Sequence, residues 1–551
     1  MWWKEGVVYQ VYPRSFQDSN NDGIGDLRGL IQRLDYLNDG TSQSLGIDAV
    51  WLSPFYPSPM CDFGYDISDY CAIDPVFGTM DDFDQLIAQA HQRNIRIILD
   101  LVVNHTSDQH PWFQASCDAS SDKAGWYIWH EGSEPPNNWL GCLGGKGWTY
   151  QPQRDAWYFH SFLPQQPDLN WRHPAVKQAV KDIMAFWLNK GVDGFRLDVI
   201  NLFYKDARLR SNPVDWFRIG RPYDRQNHLY DRDQAEMHPL LQELRQWVDR
   251  WPRRMMVGEI MQQQKTLSAL PASYYGDNDE LHLAFNFDFF HQPFSAAAFR
   301  AVIQRWETLL GPDNWPNYTL SNHDFMRHSG RYKGRHQALR MKLLATLLLT
   351  LRGTPFLYYG EETGMPEQRV PKQRMQDPVG LRYWPLHPGR DGCRRPMMWS
   401  GHPQDFSPAA AWLPNEPQQQ HSVAYQQNQP DSLLNWYRTL IHYRKASPAL
   451  RRGSQRLLPS ASDILAYERC YEDEHLIILL NFSARPQGAS LLPLPDRAEL
   501  SNEYMIDLNN QPQAATFSDR SIRLNPCQAV VIRRVLSADQ PRDPDACHQA
   551  R

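Results

Sequence analysis

Arg196 and Asp198, in the stretch Gly191-Val-Asp-Gly-Phe-Arg-Leu-Asp-Val-Ile-Asn201, are opposite charges two residues apart. In an extended strand such positions share a face, because side chains alternate with period two. A guanidinium beside a carboxylate favours the ionised form, which a nucleophile requires. Taken alone, the pair is equally well explained as a structural ion bridge at a strand end. Glu259, His323 and Asp324 follow other short apolar runs, and Asp100, Asn104 and His105 end an earlier one. Any one of these reads as a solvated strand end. Separate carboxylates converging with two histidines and an arginine repel one another and cost stability, so their assembly points to function. Paired carboxylates without metal-ligand spacing suit acid/base and nucleophilic work on a C–O bond.

The elements that would hold them repeat. Val7 to Tyr12 reads as a first strand, and Asp26 to Leu37 as a helix with Leu27, Leu30, Ile31 and Leu34 at helical spacing. Ile47 to Leu52 and Ile95 to Val103 are further strands, the latter apolar enough to be buried on both faces. The Arg196 strand is followed by candidates at Met255 to Val257, Leu283 to Phe287, Tyr318 to Leu320 and Pro355 to Tyr359. Strands alternating with helices in this number predict an α/β fold, a (β/α)8 TIM barrel, whose strand C-terminal ends meet at one mouth. A doubly wound sheet would carry a Gly-rich turn after its first strand, where this chain has Pro13-Arg14-Ser15-Phe16.

About 70 residues of weak periodicity after the third strand are an insertion of the kind that is usually functional. After Ser447-Pro448 short alternating strands without helices predict an antiparallel β domain. The expected division is a barrel over 1–104 and 172–455, an inserted subdomain over 105–171, a C-terminal β-sandwich over 456–535 and a disordered tail over 536–551. A length of 551 residues agrees with several domains. The net charge of −5 gives no reason to expect nucleic acid or an anionic membrane as partner. The eight cysteines are scattered without CxxC spacing and are expected as thiols. No n-region, h-region or cleavage site opens the chain, so a cytoplasmic location is expected. The run Leu343 to Leu351 is too short to span a membrane and should be a buried helix.

Asp100-Leu-Val-Val-Asn-His105, Gly194-Phe-Arg-Leu-Asp198, Val257-Gly-Glu259 and Leu320-Ser-Asn-His-Asp324 resemble, in order, the four signature regions of the α-amylase family, glycoside hydrolase family 13. The resemblance implies a retaining enzyme acting on an α-glucosidic bond. Asp198 would be the nucleophile, kept ionised by Arg196; Glu259 the acid/base with a raised pKa; Asp324 the stabiliser of the transition state. It further implies that His105 and His323 donate to glucose hydroxyls. Asp62-Phe-Gly-Tyr65 is similar to a segment in which the aspartate clamps the terminal glucose and the tyrosine stacks on it, with Phe162 and Gln166 alongside. Arg390-Asp-Gly-Cys-Arg394-Arg-Pro-Met-Met-Trp399 is similar to a stretch of exo-acting α-glucosidases whose arginine, matched to Arg394, blocks the subsite beyond that glucose. Arg395 and Met398 depart from the usual Arg-Thr-Pro-Met-Gln-Trp. Val199, after the nucleophile, matches the residue common in α-1,6-acting relatives and leans the expectation to isomaltose-type substrates.

Asp18-Ser-Asn20-Asn-Asp22-Gly-Ile24-Gly-Asp26 spaces oxygen donors at alternate positions, as a calcium loop does, without the closing glutamate of an EF-hand. It looks like the metal loop of the oligo-1,6-glucosidase branch, which implies a structural Ca2+ or Mg2+ held by Asp18, Asn20, Asp22, the Ile24 carbonyl and Asp26. A metal-free turn capped by its own side chains is the other reading. No organic cofactor is expected. The expected partner is a small oligosaccharide or disaccharide, and the expected state a monomer or weak homo-oligomer. Rival activities are an α-1,4-glucosidase, a transglucosidase or sucrose isomerase, and a trehalose-6-phosphate hydrolase, for which Lys205, Arg208 and Arg331 are candidate phosphate contacts. A transporter heavy-chain ectodomain shares the barrel but lacks the catalytic carboxylates and carries a membrane anchor.

Overall fold

The computed structural model describes residues 1–261, 269–490, 504–513, 515–518 and 521–534. Eight parallel strands form its central sheet: β1 (Val8–Val11), β2 (Ala49–Leu52), β3 (Arg96–Leu101), β4 (Gly194–Leu197), β5 (Met255–Gly258), β6 (Leu283–Ala284), β7 (Asn317–Thr319) and β8 (Thr354–Tyr358). Their order is β7-β8-β1-β2-β3-β4-β5-β6, the sequence of a TIM barrel. Where β6 meets β7 the backbone ladder is replaced by a side-chain link, Asn286 N donating to Asn317 Oδ1 at 3.1 Å.

Burial on both faces explains the unbroken apolar character of β3. Ile97, Leu99 and Leu101 join the layer under the surrounding helices, whereas Ile98 joins Trp51, Val257, Leu283 and Phe356 inside the barrel. Asp100 occupies the next inward position. Register then places the chemistry. Asp100 lies opposite Arg196 across the β3–β4 pair, and Leu197 lies opposite Gly258 across β4–β5, so Asp198 and Glu259 emerge side by side. The run Leu343 to Leu351 falls mostly in the helix Gln337–Thr350, buried from Met341 onward. Among the described residues no helix is long and apolar enough to cross a membrane.

The segment after β3 folds as a helix, Pro111–Ser116, and an antiparallel sheet of Trp129–His130, Trp148–Gln151 and Ala156–Phe159. It returns to the rim through Leu169 N, which donates to Asn104 O at 2.9 Å. The C-terminal part forms a five-stranded and a three-stranded antiparallel sheet. Strand Ser454–Leu457 already pairs with Ile464–Tyr471 there, two residues ahead of the expected boundary. The expected tail over 536–551 lies outside the described residues.

Candidate active site

The mouth of the barrel opens on a cavity of about 720 Å3. Asp62, Tyr65, His105, Phe162, Asp198, Val199, Glu259, His323 and Asp324 all line it, each delivered by the loop or strand end named from the sequence. Arg196 is 0 % exposed and sits beneath them, one guanidinium shared by three carboxylates. Its Nη1 donates to Asp100 Oδ1 at 2.7 Å and to Asp198 Oδ1 at 2.5 Å, and its Nη2 donates to Glu259 Oε2.

That sharing corrects one expectation. Burial pushes Asp198 up to about 7 although Arg196 pulls it down, and Asp100 adds to the rise. Burial likewise raises Glu259 to about 8, with Asp198 and Asp324 adding to it, and Asp100 to about 6. One cation cannot neutralise three buried carboxylates, so the set retains protons near neutral pH. Glu259 holds its proton most strongly, and a hydrogen bond with Glu259 in turn lowers Asp198. Arg196 therefore keeps Asp198 ionised only together with a protonated Glu259. Asp324 behaves oppositely: despite burial, the guanidinium groups of Arg390 and Arg394 hold its carboxyl well below the usual range.

The polar wall is cross-linked. His323 Nε2 lies 2.6 Å from Tyr65 Oη, which donates to Asp100 Oδ2 at 3.0 Å. The ring of Tyr65 stacks on that of His323 at 5.3 Å. His105 Nε2 lies 2.9 Å from Tyr65 O, and Gln166 Nε2 donates to Asp62 Oδ2 at 3.3 Å. Burial lowers His105 and brings His323 down to about 3, so both rings are neutral.

A second correction concerns the arginine stretch. Arg394 does not line the cavity; it lies behind Asp324, donating to Asp324 Oδ1 at 3.0 Å and to His323 O at 2.8 Å. The arginine that crosses the pocket is Arg390, whose Nη2 donates to Asp62 Oδ1 at 2.7 Å and whose Nη1 donates to Asp324 Oδ1 at 3.2 Å. The short 3-10 turn Asp391–Cys393 separates the two, and linear spacing does not tell which side chain turns inward. The outer cavity wall, unmarked in the sequence, carries Leu143, Met261, Phe287, Phe325 and Val379. Val199 adopts φ 36° and ψ 49°, a left-handed conformation that strains a β-branched residue.

Lys205 is buried against Asp168, Arg331 donates to the Leu320 and Met326 carbonyls, and exposed Arg208 is not part of the lining, so none of the three phosphate candidates faces the cavity. In the 18–26 loop, Asp18 accepts from the amides of Asn20, Asn21 and Gly23, Asn20 Oδ1 from Asp22 N, and Asp22 Oδ1 from Ile24 N. Asp26 caps the following helix through Gly29 N.

The family of the Alpha amylase, catalytic domain, matches residues 10–453. This chain belongs to the α-amylase family. It is 41% identical to a probable alpha-glucosidase of Rhizobium meliloti over 88% of this chain and 89% of the relative. It is 36% identical to an oligo-1,6-glucosidase of Parageobacillus thermoglucosidasius (97% and 99%) and 36% to a trehalose-6-phosphate hydrolase of Escherichia coli (96% and 98%). Among solved structures, the alpha-glucosyl transfer enzyme XgtA superposes with a TM-score of 0.90 at 39% identity, covering 97% of this chain and 99% of that one. A trehalulose synthase gives 0.86 at 33%, covering 97% and 100%. The chain is a glycoside hydrolase, and enzymes of the α-amylase family need no organic cofactor.

Proposed function

We propose that the protein is a retaining exo-α-glucosidase that removes glucose from the non-reducing end of short α-glucosides, with a preference for α-1,6 linkages. The observation that carries this is the Arg390–Asp62 bridge, which joins two residues of the cavity lining beside the reacting carboxylates, as a pocket closed beyond a terminal sugar requires. Asp198 attacks the anomeric carbon as Glu259 gives its proton to the departing oxygen; a glycosyl-enzyme forms on Asp198. Water then enters, Glu259 takes its proton, and the C–O bond to Asp198 breaks. Carboxyls close enough to share a guanidinium and a hydrogen bond leave no place for an attacking water between them, as retention requires. Asp324, held ionised, stabilises the positive charge that develops on the sugar.

Val199 and the relatives named oligo-1,6-glucosidase support the linkage preference. Each arginine at the cavity mouth already faces a carboxylate, Arg221 with Asp224 at 2.9 Å and Arg218 with Asp215 at 3.5 Å, which favours a neutral aglycone over a phosphorylated one. The apolar outer wall supports a second reading, transfer of glucose to a sugar acceptor in place of water. A product assay on maltose, isomaltose, trehalose, trehalose 6-phosphate and sucrose tests the set; release of glucose from trehalose 6-phosphate alone overturns the main reading.

The 18–26 loop suits a hard cation. Asp18 and Asp26 are each 4% exposed, and among the described residues no Lys, Arg or His forms an ion pair with Asp18, Asp22 or Asp26. Their oxygens accept from backbone amides and Ser19, which leaves lone pairs for Ca2+ or Mg2+. The ion supplies positive charge that holds the loop and takes no part in bond cleavage.

A further inference from the structure

We propose that the buried Lys205–Asp168 ion pair fixes the ring proton of His105 on Nε2, acting through the side-chain amide of Asn104. This rests on the reading that His105 meets the glucosyl ring. Asn104, His105, Asp168 and Lys205 are at most 1% exposed. Lys205 Nζ donates to Asn104 Oδ1 at 3.0 Å, to Asp168 Oδ2 and to Leu202 O. Asn104 Nδ2 donates to Asp168 Oδ2 at 3.1 Å. An ammonium only donates and an ionised carboxylate only accepts, so the amide has one permitted orientation, oxygen toward Lys205 and nitrogen toward Asp168.

The same Nδ2 lies 3.2 Å from His105 Nδ1. An amide NH2 cannot accept, so Nδ1 must, and the proton of the neutral ring belongs on Nε2. There it points at Tyr65 O, 2.9 Å away, which is an acceptor. The other tautomer would set Nδ1–H against an amide donor and a bare Nε2 against a carbonyl, two repulsive contacts. The only unfavourable approach left in the assigned tautomer is Gln166 Nε2, 3.2 Å from Nε2. The hydrogens of that amide go to Asp62 Oδ2 and Tyr65 O, both at 3.3 Å. Burial lowers the pKa of His105, which keeps the ring in the neutral form that this choice concerns.

His323 reaches the same tautomer by a different route. Gln10 Nε2 lies 2.8 Å from its Nδ1 and can only donate, so His105 and His323 both carry the proton on Nε2. With Nε2–H the His105 ring holds the carbonyl of Tyr65, whose side chain lines the cavity; a lone pair there would repel that carbonyl and shift Tyr65. Lys205 is not among the residues that line the cavity. It is a positioning residue, and it couples the loop after the nucleophile to the inserted segment that carries Asp168.

The full-length protein with 15N-labelled histidine tests this, the His105 signals being assigned by their loss in His105→Gln. Wild type is expected to show a protonated Nε2 and a bare Nδ1; the reverse pattern overturns the inference without any further variant. In Lys205→Met/Asp168→Asn, where neither charge is left buried alone, the pattern is expected to become mixed, with KM for isomaltose raised about tenfold and kcat changed far less. Asn104→Asp puts an acceptor against Nδ1 and should move the proton there. A merely structural pair would lower the melting temperature and leave the nitrogen pattern of the folded protein unchanged, which also overturns the inference. If wild type cleaves no α-glucoside, the functional reading fails, while the nitrogen pattern still decides the tautomer.

Discussion

Arg390 Nη2 lies 2.7 Å from Asp62 Oδ1, tying the loop after β2 to the loop after β8 across the polar end of the cavity. The same guanidinium holds Asp377 at 2.8 Å and Asp324 at 3.2 Å. Buried Asp62 and Asp377 thus share one cation with the partly exposed Asp324, which Arg394 also holds, and breaking such a buried cluster costs about 3–5 kcal/mol. Arg390→Ala is expected to lower the melting temperature and to reduce kcat/KM on isomaltose by ~100-fold, since Asp324 loses its position. The ratio of activity on longer chains to activity on disaccharides should rise as the end of the pocket opens. Steady-state kinetics over an isomalto-oligosaccharide series with a thermal melt checks both; an unchanged chain-length profile shows that the bridge does not limit the pocket.

Asp198→Asn and Glu259→Gln keep shape; the first removes the charge of the nucleophile, the second the proton that Glu259 gives and takes. Loss of a nucleophile or of its acid partner is expected to lower kcat by ~10⁴-fold or more while leaving a cooperative melt. Glu259→Gln should still form the glycosyl-enzyme from a substrate with a good leaving group, because departure then needs no proton, and that intermediate should persist. Intact-mass spectrometry after mixing with an activated α-glucoside checks this; no adduct in Glu259→Gln would remove Asp198 as nucleophile.

The raised pKa values set two pH dependences. Activity requires Asp198 ionised and Glu259 protonated, so kcat/KM rises as pH passes the lower ionisation and falls as it passes the upper, near 7 and 8. These two ionisations belong to the coupled carboxylate set and not to single residues. For stability, the folded state binds these protons more tightly than the unfolded chain does. The contribution is complete below the ordinary carboxylate range and is lost as pH rises toward 8, at about 1.4 kcal/mol per unit of pKa difference. Glu259→Gln, which cannot ionise, is therefore expected to melt above wild type at pH 9 and to lose that advantage at pH 5. A melting series across that range decides it; parallel curves for the two proteins mean that Glu259 is not the buried acid.

The strand ends were legible in the sequence because β-strand positions bury by rule. Alternation placed Asp100 and Arg196 inward, and the apolar run ahead of each carboxylate marked the barrel. Which of Arg390 and Arg394 enters the cavity was not legible, since the choice rests on a one-turn 3-10 segment and on Asp62, distant in sequence. Nor was the proton sharing. A local Arg–Asp pair reads as one cation for one anion, whereas strand pairing and the β5 end bring Asp100 and Glu259 to the same guanidinium. Lys205 reads as a free cation in the chain and is one half of a buried pair in the fold.

The 18–26 loop predicts a response to chelation. Without a cation, the buried carboxylates Asp18 and Asp26 rely on amide donors and the Ser19 hydroxyl. Removal of a bound ion by EDTA is expected to lower the melting temperature by several degrees, with recovery on adding Ca2+ or Mg2+, and Asp22→Asn should abolish the response. Metal content measured on the purified protein gives an independent check. A melt indifferent to EDTA, in a protein that carries no metal, leaves the loop as a turn capped by its own side chains.

Val199 stands next to Asp198, is 3% exposed, faces the cavity and holds φ 36°. Two effects of shortening it can be separated. Val199→Ala removes two methyl groups from the wall beside the bond to be cut, and a difference of that size discriminates substrates by about 1–3 kcal/mol. The ratio of kcat/KM on isomaltose to that on maltose should therefore fall by ~10-fold in Val199→Ala. Val199→Gly also relieves the left-handed strain, so its melting temperature measures how much of the lost wall is offset by the relaxed backbone. If both variants keep the wild-type ratio, linkage preference lies elsewhere in the outer wall, and Met261 and Val379 are the next positions to change.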